Sequence, residues 1–351
     1  MKHYDVFNGD ADGICALHQL RLAKPLQSLL ITGVKRDVAL LSRVPVRRDS
    51  SVTVLDISLD TNRAALLALL ERGVKIEYFD HHFAGAIPEH SDLRTYIEPA
   101  PDICTSMLVD RYLEGQHRLW AIVGAYGDNL AHAAQSLAGS RGLQPGQIEQ
   151  LRELGESLNY NAYGDSEADL RIHPARLYET LRAYADPFQF AANEPIAQAL
   201  CAARWHDMEL ALGLLPSAVF PGGSIYVLPK EGWARRVRGT FGNFLARMSP
   251  DRAHAVLTVD VHGDYTVSVR APLANPCGAD ELCRRFASGN GRVGAAGIGR
   301  LPHDRLSDFM RAFDKAFGVS VAVTGDTPPR ARVELHSAYR TCNFAGLSGL
   351  V

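Results

Sequence analysis

The sequence predicts an α/β protein in which a parallel-sheet domain is followed by a smaller α/β domain. Three observations carry this. Short β-rich runs alternate with helical patterns up to about residue 130, the pattern is helical between Leu143 and Leu210, and strand-like runs return near Pro216. In the first part the order is HYDVFN, GICALHQLRLA, SLLITGV, SVTVLDIS, TNRAALLALLERG, KIEYFD and TSMLVDRYL, the alternation of a parallel sheet with crossover helices. QIEQLRELGESLNY and PIAQALCAARWHDMELALGLL repeat at roughly the 3.6-residue period and read as a helical flank leading to a connecting helix. Beyond them AVFPGGSIYVLP, HAVLTVDVHG and YTVSVRAP read as strands, with VRGTFGNFLARM, ADELCRRFA and LSDFMRAFDKAFG as helices among them. The expected division is 1–190 for the first domain, 191–215 for the connecting helix, 216–325 for the second domain and 326–351 for a carboxy-terminal extension.

The 351 residues, 46% of them hydrophobic, can fill two cores of ordinary size. A formal net charge of -2 argues against steering toward polymeric DNA while leaving room for a local basic pocket, so the expected partner is a short anion and not a long nucleic acid. Cys15, Cys104, Cys201, Cys277, Cys283 and Cys342 are scattered, with no C-x-x-C pair, and read as reduced thiols of a cytosolic protein. MKHYDVFNGDADG has no basic region followed by an apolar run, and no window approaches the ~20 apolar residues of a membrane helix. A soluble, cytoplasmic protein without a membrane partner is expected. Its oligomeric state is left open, a homodimer included.

In a parallel α/β sheet the carboxyl ends of the strands face a crevice where side chains meet a ligand. VFNGDADG supplies Asp10 and Asp12 there, VTVLDIS supplies Asp56, KIEYFDHH supplies Asp80, His81 and His82, and IVGAYGDN supplies Asp128 after another apolar run. Carboxylates held this close repel one another unless a cation neutralises them, so the cluster makes sense around a divalent metal. Oxygen and nitrogen donors without thiolates suit Mn²⁺, and Mg²⁺ less well, and do not suggest a structural zinc. Alone, DADG would more often be a turn, since Asp and Gly favour turns. Its company gives it the metal reading.

Taken in order, FNGDADG, VLDIS, YFDHH and GAYGDN resemble the four motifs of the DHH phosphoesterase superfamily. SVRAPLANPCGADELCRRFASGNGRVGAAGIG is similar to the DHH-associated carboxy-terminal domain, so the resemblance spans roughly residues 3 to 320. It implies a DHH catalytic domain and a substrate-binding domain with a cleft between them. Asp12, Asp56, His81 and Asp128 would hold one metal, with Asp56 bridging to a second that Asp10 also binds. Asp80 would orient an imidazole and His82 would face the scissile phosphate, which makes these two the catalytic candidates beside metal-activated water.

The first motif departs from the pattern: Val6 and Asn8 stand where many relatives have histidine or aspartate. Asn8 offers a neutral amide oxygen, and one tight metal site with a weak second one is the expectation. In the second domain Arg270 ends a strand, and Gly291 and Arg292 lie in the glycine-rich GNGRVGAAG, with Arg292 where relatives commonly have histidine. Glycines let a backbone approach a phosphate and a guanidinium binds it, so Asn8, Arg270, Gly291 and Arg292 are the candidate substrate contacts. Thr105 and Ser106 read as a helix cap. Arg235, Arg236 and Arg238 read as a solvated helix start, and Tyr160, Tyr163, Tyr178 and Tyr184 as packing.

The activity implied is metal-dependent hydrolysis of short linear nucleotides, pGpG or pApA dinucleotides or very short RNA, to mononucleotides. Two alternatives stay open. One is a phosphatase for the 3′-phosphate of phosphoadenosine phosphate, and the other is a nucleotide-binding sensor weakened in catalysis. A pyrophosphatase is disfavoured because that branch lacks the glycine-rich domain, and a processive exonuclease because no additional nucleic-acid-binding domain is apparent.

Overall fold

Strand β1 (Lys2–Phe7) is buried on both faces along most of its length, as a central strand of a parallel sheet must be. The computed structural model describes residues 2–260 and 262–318, which divide into two units, 2–203 and 204–318. In the first unit β1 runs through an Asn-Gly-Asp turn into α1 (Ala11–Ala23), where the Asp10 side chain accepts the Gly13 amide at 3.0 Å as an N-cap. There follow β2 (Leu29–Ile31), β3 (Ser50–Leu55), α2 (Leu59–Leu70, capped by Ser58), β4 (Lys75–Asp80) and β5 (Leu93–Ile97). The strand order is β2-β1-β3-β4-β5 with every pairing parallel. The chain leaves β1 toward β2 and returns on its other side as β3, so the switch point lies between β1 and β3.

Alternation along the strands sets which side chains meet which helix. Tyr4, Val6, Val52 and Val54 meet Leu66 and Leu69 of α2 in one core. At roughly 1.5–3 kcal/mol for each fully buried aliphatic or aromatic side chain, this layer fixes the register of the sheet. The helical flank comprises α3 (Thr105–Tyr112), α4 (Arg118–Gly127), α5 (Ala131–Ser140), α6 (Pro145–Ala162), α7 (Pro174–Leu181), α8 (Pro187–Asn193) and α9 (Pro195–Leu212), which carries the chain from one unit to the other.

Two elements differ from the sequence reading. The run before Asp128 is not a strand but helix α4, packed against α1 and α6, with eight consecutive buried residues from Trp120 to Gly127. A run that is apolar on every side carries no period to separate helix from strand. Close packing decides here: a Cβ added to Gly124 would stand 2.1 Å from Ser106 Oγ, so α4 can lie against the start of α3 only with glycine at that position. Strand β5 had no clear signal because its residues are only partly buried.

The second unit contains β6 (Ala218–Phe220), β7 (Gly223–Leu228), α10 (Gly232–Met248), β8 (Ala253–Val259), β9 (Tyr265–Arg270), α11 (Ala279–Cys283), β10 (Gly289–Arg292), β11 (Ala295–Leu301) and α12 (Leu306–Phe317). Its sheet runs β10-β11-β9-β8-β7-β6, antiparallel except between β7 and β8. Phe309, Phe313 and Phe317, spaced four apart on α12, cover it. Arg236 is not solvated as expected but buried, its guanidinium 2.7 Å from Asp207. Tyr160 and Tyr178 are buried. Cys15, Cys104, Cys277 and Cys283 are free thiols. Cys342 and the 326–351 extension lie outside the described residues. Among the described residues no helix is long and apolar enough to cross a membrane.

His18 on α1 lies edge-on to Trp120, with ring centroids 4.7 Å apart, and its Nε2 meets the Tyr184 carbonyl at 2.8 Å. Burial pushes the imidazole down to about 4, more than the Tyr184 bond raises it. An unfolded histidine titrates near ~6.5, so this stabilisation is complete above that pH and is lost as pH falls toward 4. Between pH 7 and 4.5, urea unfolding of His18→Gln should show a stability loss smaller than that of the wild type by on the order of 2 kcal/mol.

Candidate metal centre

The carboxyl edge at the switch point collects acids from four elements. Asp12, in the first turn of α1, has both oxygens fixed by the start of α3: Oδ2 accepts the Thr105 amide at 2.8 Å and Oδ1 the Ser106 amide at 2.7 Å. Free amides at a helix N-terminus favour a carboxylate there. Thr105 and Ser106 are therefore not caps. Cys104 occupies the N-cap position without capping a backbone amide through its side chain, and Asp12 supplies the acceptor from outside the helix. The Thr105 hydroxyl also donates to Asp56 Oδ1 at 3.1 Å.

Asp56 follows β3 with φ at +60°, and its amide donates to the Phe79 carbonyl at 3.0 Å. Aspartate and asparagine tolerate this left-handed region better than most residues, so the turn and the carboxylate are compatible. His81, just past β4, donates from Nδ1 to the Ile103 carbonyl at 2.8 Å, which turns Nε2 toward Asp56 Oδ1 at 3.4 Å and Asp128 Oδ2 at 3.8 Å. His82 donates from Nδ1 to Asp80 Oδ1 at 2.7 Å, while the buried Oδ2 of Asp80 has no hydrogen-bond partner. Asp128 is the C-cap residue of α4.

Two triads result, each with ligand atoms within 4.8 Å of one another: Asp12, His81 and Asp128, and Asp56, His81 and His82. His81 belongs to both. Asp10 is in neither: its Oδ1 accepts the Gly13 amide and its Oδ2 accepts Lys35 Nζ at 2.5 Å. Asn8 is buried and holds backbone, its Oδ1 accepting the Asp10 amide at 3.3 Å and its Nδ2 donating to the Lys35 carbonyl at 3.4 Å.

Charges follow this geometry. Burial, then Asp12, Asp10, Asp128 and Asp80, push the Asp56 carboxyl well above the usual carboxylate range. Burial also raises Asp128, with Lys35 and His81 pulling the other way. Burial would raise Asp10 too, but Lys35 outweighs it and holds the carboxyl down. For Lys35 the acids, Asp10 foremost, overcome burial and keep the ammonium well above its ordinary value. For His82 burial is overcome by Asp80, which raises the imidazole. A divalent cation fits this donor set: carboxylates and imidazoles without thiolate, an unpartnered buried carboxylate oxygen, and mutual repulsion that positive charge would relieve.

Arg270, Gly291 and Arg292 lie in the second unit. The glycine-rich segment forms the hairpin β10–β11, with Arg292 opposite Ala295 and Ala295 opposite Arg270 on the next strand. Gly291, at φ +145°, allows nothing larger, since a Cβ would stand 2.4 Å from Ala296 Cα. Arg270 donates to Asn243 Oδ1 at 2.6 Å and to Ser268 Oγ at 2.9 Å. Sequence reasoning missed Lys35 and the amide role of Thr105 and Ser106. The one signal for Lys35 is its place just past SLLITGV, a strand of the same edge.

No family profile matches the sequence, and no curated protein matches it. Solved structures do match. The exonuclease RecJ bound to manganese aligns with a TM-score of 0.59 and 17% identity over 91% of each chain. The chain has the fold of this RecJ structure. RecJ of Thermus thermophilus in complex with Mn²⁺ matches the same fold with a TM-score of 0.54 and 18% identity over 90% of this chain, which spans 52% of that one. A pGpG-specific phosphodiesterase, PggH of Vibrio cholerae, matches with a TM-score of 0.53 and 11% identity over 91% of this chain and 99% of its own. The shared fold thus extends over both units of the chain.

Asp56→Asn keeps the turn, the shape and the acceptor for Thr105 while removing the most strongly repelled charge. Because the folded carboxyl titrates above its unfolded value, its cost in the metal-free protein grows as pH rises. The substitution should raise the metal-free Tm at pH 8, by roughly 2–4 °C for each kcal/mol relieved, and abolish the further rise that Mn²⁺ gives the wild type. Differential scanning calorimetry with and without metal checks both.

Proposed function

We propose that this chain is a metal-dependent phosphoesterase that hydrolyses short linear nucleotides, dinucleotides of the pGpG or pApA kind and very short RNA, to mononucleotides. The observation that carries the reading is the pair of carboxylate and imidazole triads, each with two buried members, that share His81 at the switch point of a parallel sheet. The manganese-bound RecJ structures and the pGpG-specific phosphodiesterase support it through their shared fold, the latter spanned over nearly its whole length.

Asp12, Asp56, His81 and Asp128 would hold the cation, with Mn²⁺ preferred and one tight site. Bound there, a divalent metal supplies Lewis acidity, which lowers the pKa of water and offsets phosphoryl charge. The protein's own groups do the rest. Ile103 and Asp80 fix the two imidazoles through Nδ1, so each presents Nε2. His82, raised by Asp80, holds a proton at Nε2 for a phosphoryl oxygen or the departing ribose oxygen. The Asp12 bonds to α3 keep that ligand from turning away.

Beside this chemistry stands an apolar platform. Phe83, next to His82, is 73% exposed, yet its loop is fixed: Ser58 Oγ donates to the Phe83 carbonyl at 3.1 Å, and Arg63 donates to the Ala84 carbonyl at 2.6 Å and to the Ala86 carbonyl. A rigidly held, solvent-facing ring is the kind of surface on which a base stacks. Within the second unit we propose Arg270, Gly291 and Arg292 as substrate contacts, with the guanidinium of Arg292 taking a phosphate or a guanine edge.

The test is release of mononucleotides from pGpG, pApA, 5′-phosphorylated RNAs of increasing length and phosphoadenosine phosphate, in Mn²⁺ and in Mg²⁺. Dinucleotides should be cleaved fastest, and Asp56→Ala should abolish turnover. Release from phosphoadenosine phosphate alone would make the protein a phosphatase, and tight dinucleotide binding without release in either metal would make it a sensor. Steady-state kinetics should further separate the roles. Phe83→Ala, losing about 1–3 kcal/mol of stacking, should raise KM roughly tenfold with kcat nearly retained, and Arg292→Ala should likewise act on KM.

A further inference from the structure

Lys35 is held in the centre by more than its charge. Its amide donates to the Ala162 carbonyl at 2.9 Å, and its carbonyl accepts from Asn8 Nδ2. The segment before it lies flush against the turn after β1, since a Cβ on Gly9 would stand 2.0 Å from the Gly33 carbonyl oxygen. The side chain then runs past the Tyr163 ring, 5.6 Å from its centroid, to place Nζ 2.5 Å from Asp10 Oδ2, 3.3 Å from Asn159 Oδ1 and 3.5 Å from Asp128 Oδ1. The ammonium thus donates to Asp10 and Asn159 and forms an ion pair with Asp128. They come from the start of α1, the end of α4 and the body of α6. Asp10 in turn has both oxygens engaged, one by the Gly13 amide and one by the lysine.

We propose that Lys35 is the built-in second cation of this centre, filling the place between Asp10 and Asp128 so that the site binds a single divalent ion. The inference rests on reading the cluster as a divalent-metal site, and it adds which side of the cluster the ion takes. Asp12, Asp56, His81 and Asp128 are left to the metal, whereas the Asp10 side is closed by a charge the chain itself carries. A second divalent ion there would have to displace a charge-assisted hydrogen bond and stand beside an ammonium of like sign.

The test counts ions without reference to activity. Full-length protein stripped with chelator is titrated with Mn²⁺ by calorimetry, and the bound ion is followed by electron paramagnetic resonance. The wild type should take up about one ion per chain with an isolated manganese signal, and Lys35→Met about two, with a spin-coupled signal. Lys35→Arg, which keeps a cation, should stay near one. Two ions in the wild type, or still one in Lys35→Met, would overturn the role of the lysine and leave the metal centre standing. Failure of the wild type to bind any Mn²⁺ would remove the metal reading itself and this inference with it. Should Lys35→Met not fold, the wild-type signal at saturating Mn²⁺ decides alone, since coupling requires two neighbouring ions.

Discussion

Crowding of buried carboxylates on one edge of a parallel sheet is the constraint that the rest of the first unit answers. Asp10, Asp12 and Asp56 would each be costly to bury alone, and the partly buried Asp128 beside them adds repulsion to desolvation. Relief comes from elements far apart in the chain. The first two amides of α3 hold Asp12, the Thr105 hydroxyl holds Asp56, and a lysine just past β2 reaches Asp10 with help from α6. The helical flank is therefore an electrostatic counterpart to the sheet as well as a cover for it. Gly124 shows the same coupling in steric form, since α4 can bring Asp128 to the cluster only by lying directly on Ser106.

What could be read from the sequence divides along a physical line. Side chains with charge at the ends of apolar runs were legible, because few structural reasons place Asp or His there, and Asp12, Asp56, Asp80, His81, His82 and Asp128 come together as their positions suggested. Backbone donors were not, because every residue carries one. Nothing in the letters Thr105 and Ser106 says that their amides face Asp12 and not water. Lys35 was hidden for a related reason: a single lysine is ordinarily a surface residue, and only the fold shows its ammonium among acids. Helix α4 was misread because uniform burial erases periodicity.

The similarity to solved structures has the same character. At 11–18% identity, most core positions have been free to change so long as volume and pattern were kept. The architecture persists where chemistry does not dictate the residue, and a fold alone leaves function to its site. In this chain the site is made of few letters, each at the end of an element.

Asp56 joins two demands that are usually separate, since its φ of +60° restricts the residue by backbone and its place in the cluster restricts it by charge. Glycine and asparagine are the residues that share its tolerance of that turn. A descendant of this protein that lost its chemistry while keeping its fold would pass through one of those two at little steric cost, and asparagine differs from aspartate by a single nucleotide change in the codon. The position is thus a natural exit from catalysis, and the identity of one residue after the third strand would distinguish a working centre from its retired copy.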